Sequence, residues 1–513
     1  MTFGELVGQK LVLGIEGTKA LPETVRLFEK THAGGIILFQ RNFESPGALL
    51  RLVSELESRL KRRLLVFLDH EGGRVIRFKE GATFFPDAYA LGVSGDRDLA
   101  RRQGEIEAGE LRALGVDVNL APVLDVLSNT WNPAIGTRSY GKDAELVARM
   151  GKARIEGMQS KGLSACAKHY PGLGEAERDP HIELPTVRRS LKQMKETHLL
   201  PFLKAFEVPV DCVMSSHVVY PEIDPKPATF SRRIIHDFLR SEFGYPGLLL
   251  TDDMIMGAVS KTVPLREAAP LAVTAGHDLL LICSDSKSQL EAFDSMVRAS
   301  KKKELKTSEL EESAERITSL RGRKAEAISD SRLLRRPDGP PRNDGGKEIA
   351  RRIAQGAAQV LNHGKGLLPL SPAWCAKHSF TVLLPDFGKV PPECLIEPEL
   401  LRPERFLKGI FSKFGASPKI ETLPVDPSSA ENERVKTLAQ EADLVLFFCW
   451  DAHLFSSERG LLRDLQELGK RTAVVLLREP QDIEWIRPET GCVTAYGFRA
   501  CQVEAAVEKL FSS

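Results

Sequence analysis

The sequence lacks two features that would place the protein in or beyond a membrane. All of its apolar runs are shorter than the roughly 18 residues that a membrane-spanning helix requires. Residues 1–5 do not form a basic region followed by a long apolar run, which is the pattern of a secretory signal. We therefore expect no membrane span and a cytoplasmic location.

An excess of either charge is also missing. The 71 lysine and arginine residues nearly balance the 70 aspartate and glutamate residues, so the net charge is +1. A chain this close to neutrality creates no overall field that would attract nucleic acid or an anionic membrane. We expect neither as a partner.

Cysteine is sparse, and none of the eight cysteines belongs to a Cys-x-x-Cys pair. Several lie inside apolar runs, which favours buried, reduced thiols over disulfides. This pattern is typical of a reducing compartment. We expect no metal site and no cofactor.

The first half of the chain contains eight short apolar runs separated by helix-like segments. The runs cover residues 10–15, 35–39, 64–69, 116–120, 163–168, 211–214, 248–252 and 278–283. Eight such runs predict a parallel sheet that is buried on both faces. The count of eight favours an α/β fold in which the sheet closes as a (β/α)8 TIM-like barrel. An open, doubly wound sheet is the alternative.

The 513 residues are too many for one core, and a proline- and glycine-rich stretch after residue 330 suits a domain boundary. We assign 1–330 to the catalytic barrel, 331–362 to a linker and crossing helix, and 363–513 to a smaller α/β domain. Residues 347–362 read as the helix. Strand-like runs in the last part cover 380–384, 444–448, 473–477 and 493–496, and we find no glycine-rich phosphate loop there.

Polar residues concentrate directly after the predicted barrel strands. Asp69 ends the third run, Lys168 and His169 end the fifth, and Asp252 ends the seventh. A barrel builds its active site at these carboxyl ends. Because a random scatter of charge would favour neither end of the strands, this bias indicates an enzyme.

The loop after the fifth run, residues 168–181, is dense in titratable groups. Asp179 stands two positions before His181, so its carboxylate can orient the imidazole as an acid or base near neutral pH. A surface turn opened by Asp179 is the ordinary alternative. Asp252 is the expected partner carboxylate, and we expect the adjacent Asp253 to cap a helix.

Two other segments could contact a ligand. Residues 68–77 turn on two glycines, and Asp69 with Arg77 could hydrogen-bond to sugar hydroxyls. Arg138 lies on a turn after the fourth run. Each of these signals is weak by itself.

Together these motifs resemble glycoside hydrolase family 3, in particular its bacterial β-N-acetylglucosaminidases. The matching stretches are 68–77, 85–92, 119–125, 132–141, 168–181, 217–221 and 251–258. They follow the family's order over about residues 5–285. The final part resembles, less specifically, the α/β sandwich domain that follows the barrel in some members.

The resemblance implies a retaining exo-β-N-acetylglucosaminidase that removes terminal N-acetylglucosamine from muropeptide fragments in peptidoglycan recycling. A carbohydrate is thus the implied partner. Asp252 corresponds to the nucleophile, His181 to the acid/base, and Asp179 to the other member of the His181 dyad. The residues that correspond to sugar-holding positions are Asp69, Arg77, Arg138, Lys168 and His169.

The loop departs from the family pattern at Leu173, at Glu175–Ala176 and at Pro180, where the family usually has His, Asp-Thr and Ser. These changes alter the shape of the loop and leave Asp179 and His181 in place. Alternative functions are a β-glucosidase-like or phosphorolytic member of the family, or an inactive barrel that binds sugar. Because every residue named lies before position 260, we expect the last domain to be dispensable for chemistry.

Overall fold

The computed structural model describes residues 1–330, 344–390 and 394–512, which form two compact units. The first unit holds Met1–Glu71, Arg77–Thr83 and Asp96–Gly345. The second holds Gly72–Ile76, Phe84–Gly95 and Gly346–Ser513. Residues 331–343 of the predicted linker lie outside the described residues.

A closed barrel of eight parallel strands forms the first unit. The strands are β1 (Leu11–Gly14), β2 (Gly35–Leu38), β3 (Leu65–Leu68), β4 (Val118–Asn119), β5 (Ser164–Tyr170), β6 (Cys212–Ser215), β7 (Leu248–Asp253) and β8 (Leu279–Ile282). Each strand pairs with the next along the chain, and β8 pairs with β1, for example Leu280 with Leu11. The predicted barrel is confirmed, and the closing pair excludes an open sheet.

The barrel interior is apolar. Val12, Ile37, Phe67, Cys166 and Leu250 belong to one buried cluster that fills it. The strands are apolar on their other face as well, because the surrounding helices exclude water there. This double burial explains why the strands read as continuous apolar runs in the sequence.

Helices surround the barrel. They are Phe3–Gln9, Pro22–Thr31, Pro46–Leu60, Arg97–Ala113, Ala144–Ser160, Leu191–Glu196, Leu200–Phe206, Arg233–Glu242, Gly257–Ser260, Leu265–Ala275, Ser286–Lys301 and Thr307–Asp330. The sequence pattern of residues 190–207 predicts one helix, but the structure contains two, Leu191–Glu196 and Leu200–Phe206. Pro201 has no amide hydrogen to donate to Thr197, so the first helix cannot continue through it.

The second unit contains a six-stranded sheet. Its strands are β9 (Gln359–His363), β10 (Phe380–Pro385), β11 (Lys419–Leu423), β12 (Leu444–Cys449), β13 (Arg471–Leu476) and β14 (Gly491–Thr494). Their order is β9-β14-β13-β12-β10-β11, and only β9 is antiparallel to its neighbour. Its helices are Ala88–Ser94, Asp344–Ala357, Pro372–Cys375, Pro403–Ser412, Ser429–Gln440, Ser456–Glu467 and Ala500–Phe511.

Two buried clusters cover the two faces of this second sheet. Val382, Leu446 and Val475 face one cluster, and the alternate residues Leu383 and Phe447 face the other. The four strands predicted for this part are present. β9 and β11 are half-exposed edge strands with polar residues, so their sequences carry little apolar signal. The helix predicted for 347–362 ends at Ala357, and β9 takes its last residues.

Across the described residues, the helices are too short or too polar for any of them to traverse a lipid bilayer.

Candidate active site

Lys168, at the end of β5, joins two carboxylates from the loop after β3. Its Nζ lies 2.7 Å from Asp69 Oδ1 and 2.7 Å from Glu71 Oε1. Glu71 also accepts hydrogen bonds from Arg138, from Nε at 2.8 Å and from Nη2 at 2.7 Å. Lys168 and Glu71 are buried, so these pairs form one desolvated network.

The charges in this network support one another. Burial raises the pKa of Glu71, but Arg138 and Lys168 outweigh it and hold that pKa well below its usual range. Burial lowers the pKa of Lys168, while Asp69 and Glu71 raise it, so the net shift is upward. The Glu71 carboxylate and the Lys168 ammonium group therefore stay charged near neutral pH.

Glu71 is a functional candidate that sequence reasoning missed. It stands two residues after Asp69, in a segment that was singled out for its glycines. The sequence did contain a clue, because Glu71 is a further polar residue near the end of a buried strand. Only the fold shows that Arg138 and Lys168 contact Glu71.

Asp69 is also 3.8 Å from Arg77, between Oδ2 and Nη2. The side chains of Asp69 and Arg77 remain 19% and 21% exposed, in contrast to Lys168 at 2%. A ligand can therefore reach Asp69 and Arg77 directly. Lys168 instead determines where Asp69 lies.

Asp125, after β4, orients His169 and the base of the next loop. The His169 ring contacts it through Nδ1, 2.7 Å from Asp125 Oδ2. The other oxygen, Oδ1, accepts the backbone N–H of Leu173 at 2.5 Å. Asp125 is fully buried. It thus fixes the imidazole and the start of the 171–189 loop with a single carboxylate.

Asp252 lies at the end of β7, and its Oδ1 accepts the backbone N–H of Asp253 at 2.8 Å. Burial raises the pKa of Asp252, but His169, His217 and His181 lower it, and the net shift is downward. Asp252 is therefore an ionised carboxylate near neutral pH. That is the state required of a nucleophile.

Asp253 does not cap a helix, which corrects the expectation from the sequence. Met256 precedes the helix Gly257–Ser260 and makes no side-chain cap. Asp253 Oδ1 instead accepts the backbone N–H of Cys283 at 3.2 Å, which ties the end of β7 to the residue after β8. Burial raises the pKa of Asp253 to about 6.

His217, after β6, braces the same strand end. Its Nε2 donates to the carbonyl of Asp253 at 3.0 Å, and its Nδ1 lies 2.6 Å from Thr229 Oγ1. Burial lowers the pKa of His217, so the ring is neutral near pH 7.

Asp179 and His181 are paired as the sequence predicted. Asp179 Oδ1 lies 2.7 Å from His181 Nδ1 and accepts the backbone N–H of His181 at 2.9 Å. The hydrogen bond to Asp179 raises the pKa of His181, and the charge on Asp252 adds to the effect. The His181 side chain is 63% exposed, so its imidazole is accessible to a ligand.

Backbone hydrogen bonds hold this loop beside the end of β7. The N–H of Gly257 donates to the His181 carbonyl at 3.1 Å, and the N–H of Ala258 donates to Pro180 at 3.0 Å. A Cβ at position 257 would come within 2.4 Å of the Ile182 carbonyl oxygen, so glycine is required there. The helix that follows Asp252 therefore carries the tip of the His181 loop.

The carboxyl end of the barrel thus combines an ionised carboxylate, an imidazole oriented by a second carboxylate, and a charged cluster around Asp69. The first two are suited to nucleophilic and acid/base catalysis, and the third to binding hydroxyl groups. In the part of the chain that the structure describes, no three His, Cys, Asp or Glu side chains are grouped to hold a metal ion.

Comparison with known proteins finds matches to the barrel region and to the whole chain. The "Glycosyl hydrolase family 3 N terminal domain" matches residues 5–320. A protein of Nitrosomonas eutropha named beta-hexosaminidase is 38% identical over 294 residues, which cover 56% of this chain and 84% of that protein.

Two solved structures extend the comparison. A glycoside hydrolase family 3 β-N-acetylglucosaminidase from Paenibacillus sp. FPU-7 is 31% identical with a TM-score of 0.93, over 100% of this chain and 97% of that chain. NagZ from Neisseria gonorrhoeae, in complex with N-trifluoroacetyl-D-glucosamine, is 30% identical with a TM-score of 0.52, over 61% of this chain and 97% of that chain.

Proposed function

We propose that the protein is a retaining exo-β-N-acetylglucosaminidase. This proposal starts from its family, because the chain belongs to glycoside hydrolase family 3 and is a glycoside hydrolase. The observation that carries the proposal is the ionised Asp252 beside a loop on which Asp179 orients His181. Relatives named beta-hexosaminidase and β-N-acetylglucosaminidase support N-acetylglucosamine as the sugar released.

In the first step, Asp252 attacks the anomeric carbon of the terminal sugar. His181 gives its Nε2 proton to the glycosidic oxygen, the bond to the leaving group breaks, and a covalent glycosyl-enzyme forms. The raised pKa of His181 favours the protonated ring that this step requires. The Asp179 carboxylate stabilises the charged ring before the transfer.

In the second step, the neutral His181 accepts a proton from a water molecule. The resulting hydroxide oxygen attacks the anomeric carbon, the bond to Asp252 breaks, and the sugar leaves with its original β configuration. One residue thus serves as acid and then as base, which an imidazole can do without a strongly perturbed pKa.

The charged cluster holds the sugar in this reaction. Asp69 and Arg77, which remain accessible, bind hydroxyl groups directly. Lys168, Arg138 and His169 belong to the networks that hold these groups and the loop base in position.

We further propose muropeptide fragments as substrates, in peptidoglycan recycling in the cytoplasm. Buried thiols such as Cys166 and Cys212 suit a reducing compartment. NagZ from Neisseria gonorrhoeae, solved with an N-acylglucosamine derivative, supports N-acetylglucosamine as the sugar that is released.

Turnover of a nitrophenyl β-N-acetylglucosaminide beside the matching β-glucoside tests the proposal. We expect the first to be hydrolysed much faster, with free sugar as the product whether or not phosphate is present. Faster cleavage of the glucoside, or a sugar phosphate as product, would favour the alternative members of the family. A protein that neither turns over the substrate nor reacts with a fluorinated mechanism-based sugar would be an inactive sugar-binding barrel.

A further inference from the structure

The second unit contains a cavity that shares no residue with the candidate active site. Its volume is about 480 Å³, within the range of sites for small molecules. It lies between the helix Ser456–Glu467 and the segment that joins β13 to β14. The lining residues include Arg459, Gly460, Arg463, Gln466, Trp485 and Arg487, all within the second unit.

Gln466 fixes the two walls of this cavity against each other. The residue is buried, and its Nε2 donates to the Trp485 carbonyl at 3.0 Å and to the Leu462 carbonyl at 3.2 Å. Its Oε1 accepts the backbone N–H of Arg487 at 2.8 Å. One buried amide thus joins the helix to the segment that carries Trp485, so the cavity is a fixed feature of the unit.

Guanidinium groups dominate the charge of the cavity. Arg459, Arg463 and Arg487 line it, and no carboxylate of the described residues does. Arg463 pairs with Asp464 at 3.3 Å and Arg487 with Glu467 at 2.7 Å, both near the surface. Exposed ion pairs contribute little, and each guanidinium has five N–H donors, so both arginines can still bind a ligand.

The helix beside the cavity contains residues that weaken it as a helix. Gly460 lies in its interior, where glycine is roughly 1 kcal/mol less favourable than alanine. Among the described residues, a Cβ at this position would meet no packing partner within 4 Å, so packing does not require glycine. Arg459 and Arg463 are four residues apart, and like charges at this spacing destabilise a helix. Such local costs without a packing reason are expected at a binding site.

Trp485 and Arg459 combine a flat apolar surface with a positive charge. The guanidinium carbon of Arg459 lies 5.3 Å from the centre of the Trp485 ring. This cation–π contact holds the guanidinium at the cavity wall, and within the described part of the chain Arg459 forms no ion pair. The indole is half-buried. It can pack against the ring of a ligand while the guanidinium binds the charged group of that ligand.

We propose that this cavity binds a small phosphate ester, with the phosphate on the three arginines and its sugar or base ring against Trp485. A phosphate carries about −1.5 to −2 charges and three acceptor oxygens, so it matches three guanidinium groups better than one carboxylate does. Ser456, which also lines the cavity, adds a hydroxyl donor. The site exists whether or not the barrel releases N-acetylglucosamine.

Calorimetric titration of the full-length protein with inorganic phosphate, glucose 6-phosphate and AMP tests the proposal. We expect at least one of the two esters to bind more tightly than inorganic phosphate, because only the esters carry a ring for Trp485. The better ester distinguishes a sugar phosphate from a nucleotide as the ligand class. Glucose and adenosine should bind at least about tenfold more weakly than their phosphates, because they lack the group that the arginines bind.

Variants locate the binding. Arg459→Met should raise the Kd of the bound ester by about 10- to 100-fold, the range for loss of a hydrogen bond to a charged group. Gly460→Leu should weaken binding without removing a charge, because the new side chain fills the cavity. Arg471→Met is the matched control, since Arg471 lies 4.7 Å from the ring centre of Trp374 in the same unit and does not line the cavity. It should leave the Kd within about twofold.

The proposal is overturned if neither ester binds the unmodified protein at millimolar concentration. It is also overturned if Arg459→Met and Gly460→Leu leave the affinity unchanged, or if Arg471→Met weakens binding equally. Esters that bind no more tightly than inorganic phosphate would exclude Trp485 as a ligand contact and with it the ester site. Thermal unfolding without ligand checks that each variant is folded, and Arg459→Met decides alone if Gly460→Leu is not.

Discussion

Both sheets of this protein place charged residues after the carboxyl ends of parallel strands, but they use them differently. In the barrel, Asp69 and His181 remain accessible to a ligand. In the second sheet, Asp451 follows β12 and Arg478 follows β13. Both are buried, and Arg478 Nη1 donates a hydrogen bond to Asp451 Oδ2.

The charged side chains around Asp451 form a second cluster, which bonds mainly to nearby backbone N–H groups. Glu458 accepts the backbone N–H groups of Trp450 at 2.6 Å and Asp451 at 3.0 Å. Asp482 accepts the backbone N–H of Ala452 at 2.7 Å. Burial raises the pKa of Glu458 to about 8 and that of Asp451 to about 7.

The difference teaches that perturbed titratable groups at strand ends do not define a site by themselves. A buried, mutually paired network stabilises one conformation, and removing one partner is costly. A catalytic cluster must in addition leave groups within reach of a substrate. The predictions below test this distinction, from the largest expected effect on activity to the smallest.

Asp252→Asn should reduce turnover by a factor on the order of 10⁴ or more, because the nucleophile is lost. Intact-mass and peptide analysis after reaction with a slow fluorinated substrate should place the sugar on the peptide containing Asp252 in the unmodified protein. An adduct on Asp253 would contradict the assignment.

His181→Ala should cost about 10²- to 10⁴-fold with a disaccharide, whose leaving group needs a proton. A nitrophenol leaves without protonation, so the first step should suffer less than the second and glycosyl-enzyme should accumulate. Rapid-quench measurement of a nitrophenol burst checks this. If the disaccharide and the nitrophenyl substrate lost activity equally, His181 would be a structural residue of the loop.

The prediction that the last domain is dispensable for chemistry can be tested at one contact within the second unit. Arg499 is fully buried within that unit and donates from Nε to the Gly73 carbonyl at 2.9 Å. Gly73 belongs to the same unit, in a segment that joins Glu71 to Arg77 in the chain. A truncation before residue 346 would remove this partner.

Arg499→Met should therefore lower kcat/KM by up to about 10²-fold, because small displacements of positioning groups are expensive. The loss should be mainly in KM, since Asp252 and His181 are untouched. Steady-state kinetics on folded protein checks the split. A loss confined to kcat would contradict this positioning role of Arg499, and an active truncated protein would confirm that the last domain is dispensable for chemistry.

Asp179→Asn should shift the basic limb of the pH profile of kcat/KM to lower pH. His181 must be protonated to act as the acid, and Asp179 raises its pKa above the usual 6.5. Activity is therefore present below that pKa and lost as the pH rises through it, and removal of the carboxylate lowers the pKa. A basic limb that does not move would assign it to another group.

Arg478→Met should leave kcat/KM within about twofold and lower the free energy of unfolding by about 3–5 kcal/mol, the cost of breaking a buried ion pair. Denaturant unfolding beside steady-state kinetics measures both. A large loss of activity in a protein that remains folded would show that the second cluster takes part in the reaction.

The sequence by itself determined the barrel and the order of its polar strand ends. A strand buried on both faces must be apolar throughout, so all eight strands could be predicted from apolar runs in the sequence. The same reasoning located Asp252 and Lys168. Burying a charge at the end of such a strand costs free energy unless the charge is paired or has a function. The pairing of Asp179 with His181 could be predicted because residues two positions apart can form this hydrogen bond.

The tertiary structure alone decided which distant charges meet. Arg138 and Glu71 are 67 positions apart and Lys168 and Asp69 are 99 apart, and no local pattern relates them. The fold likewise sets the partner of His277, which is buried with its Nε2 2.8 Å from Ser215 Oγ. The periodicity of a sequence indicates whether a residue is buried. Its contact partner depends on the packing of strands and loops that are distant in the sequence.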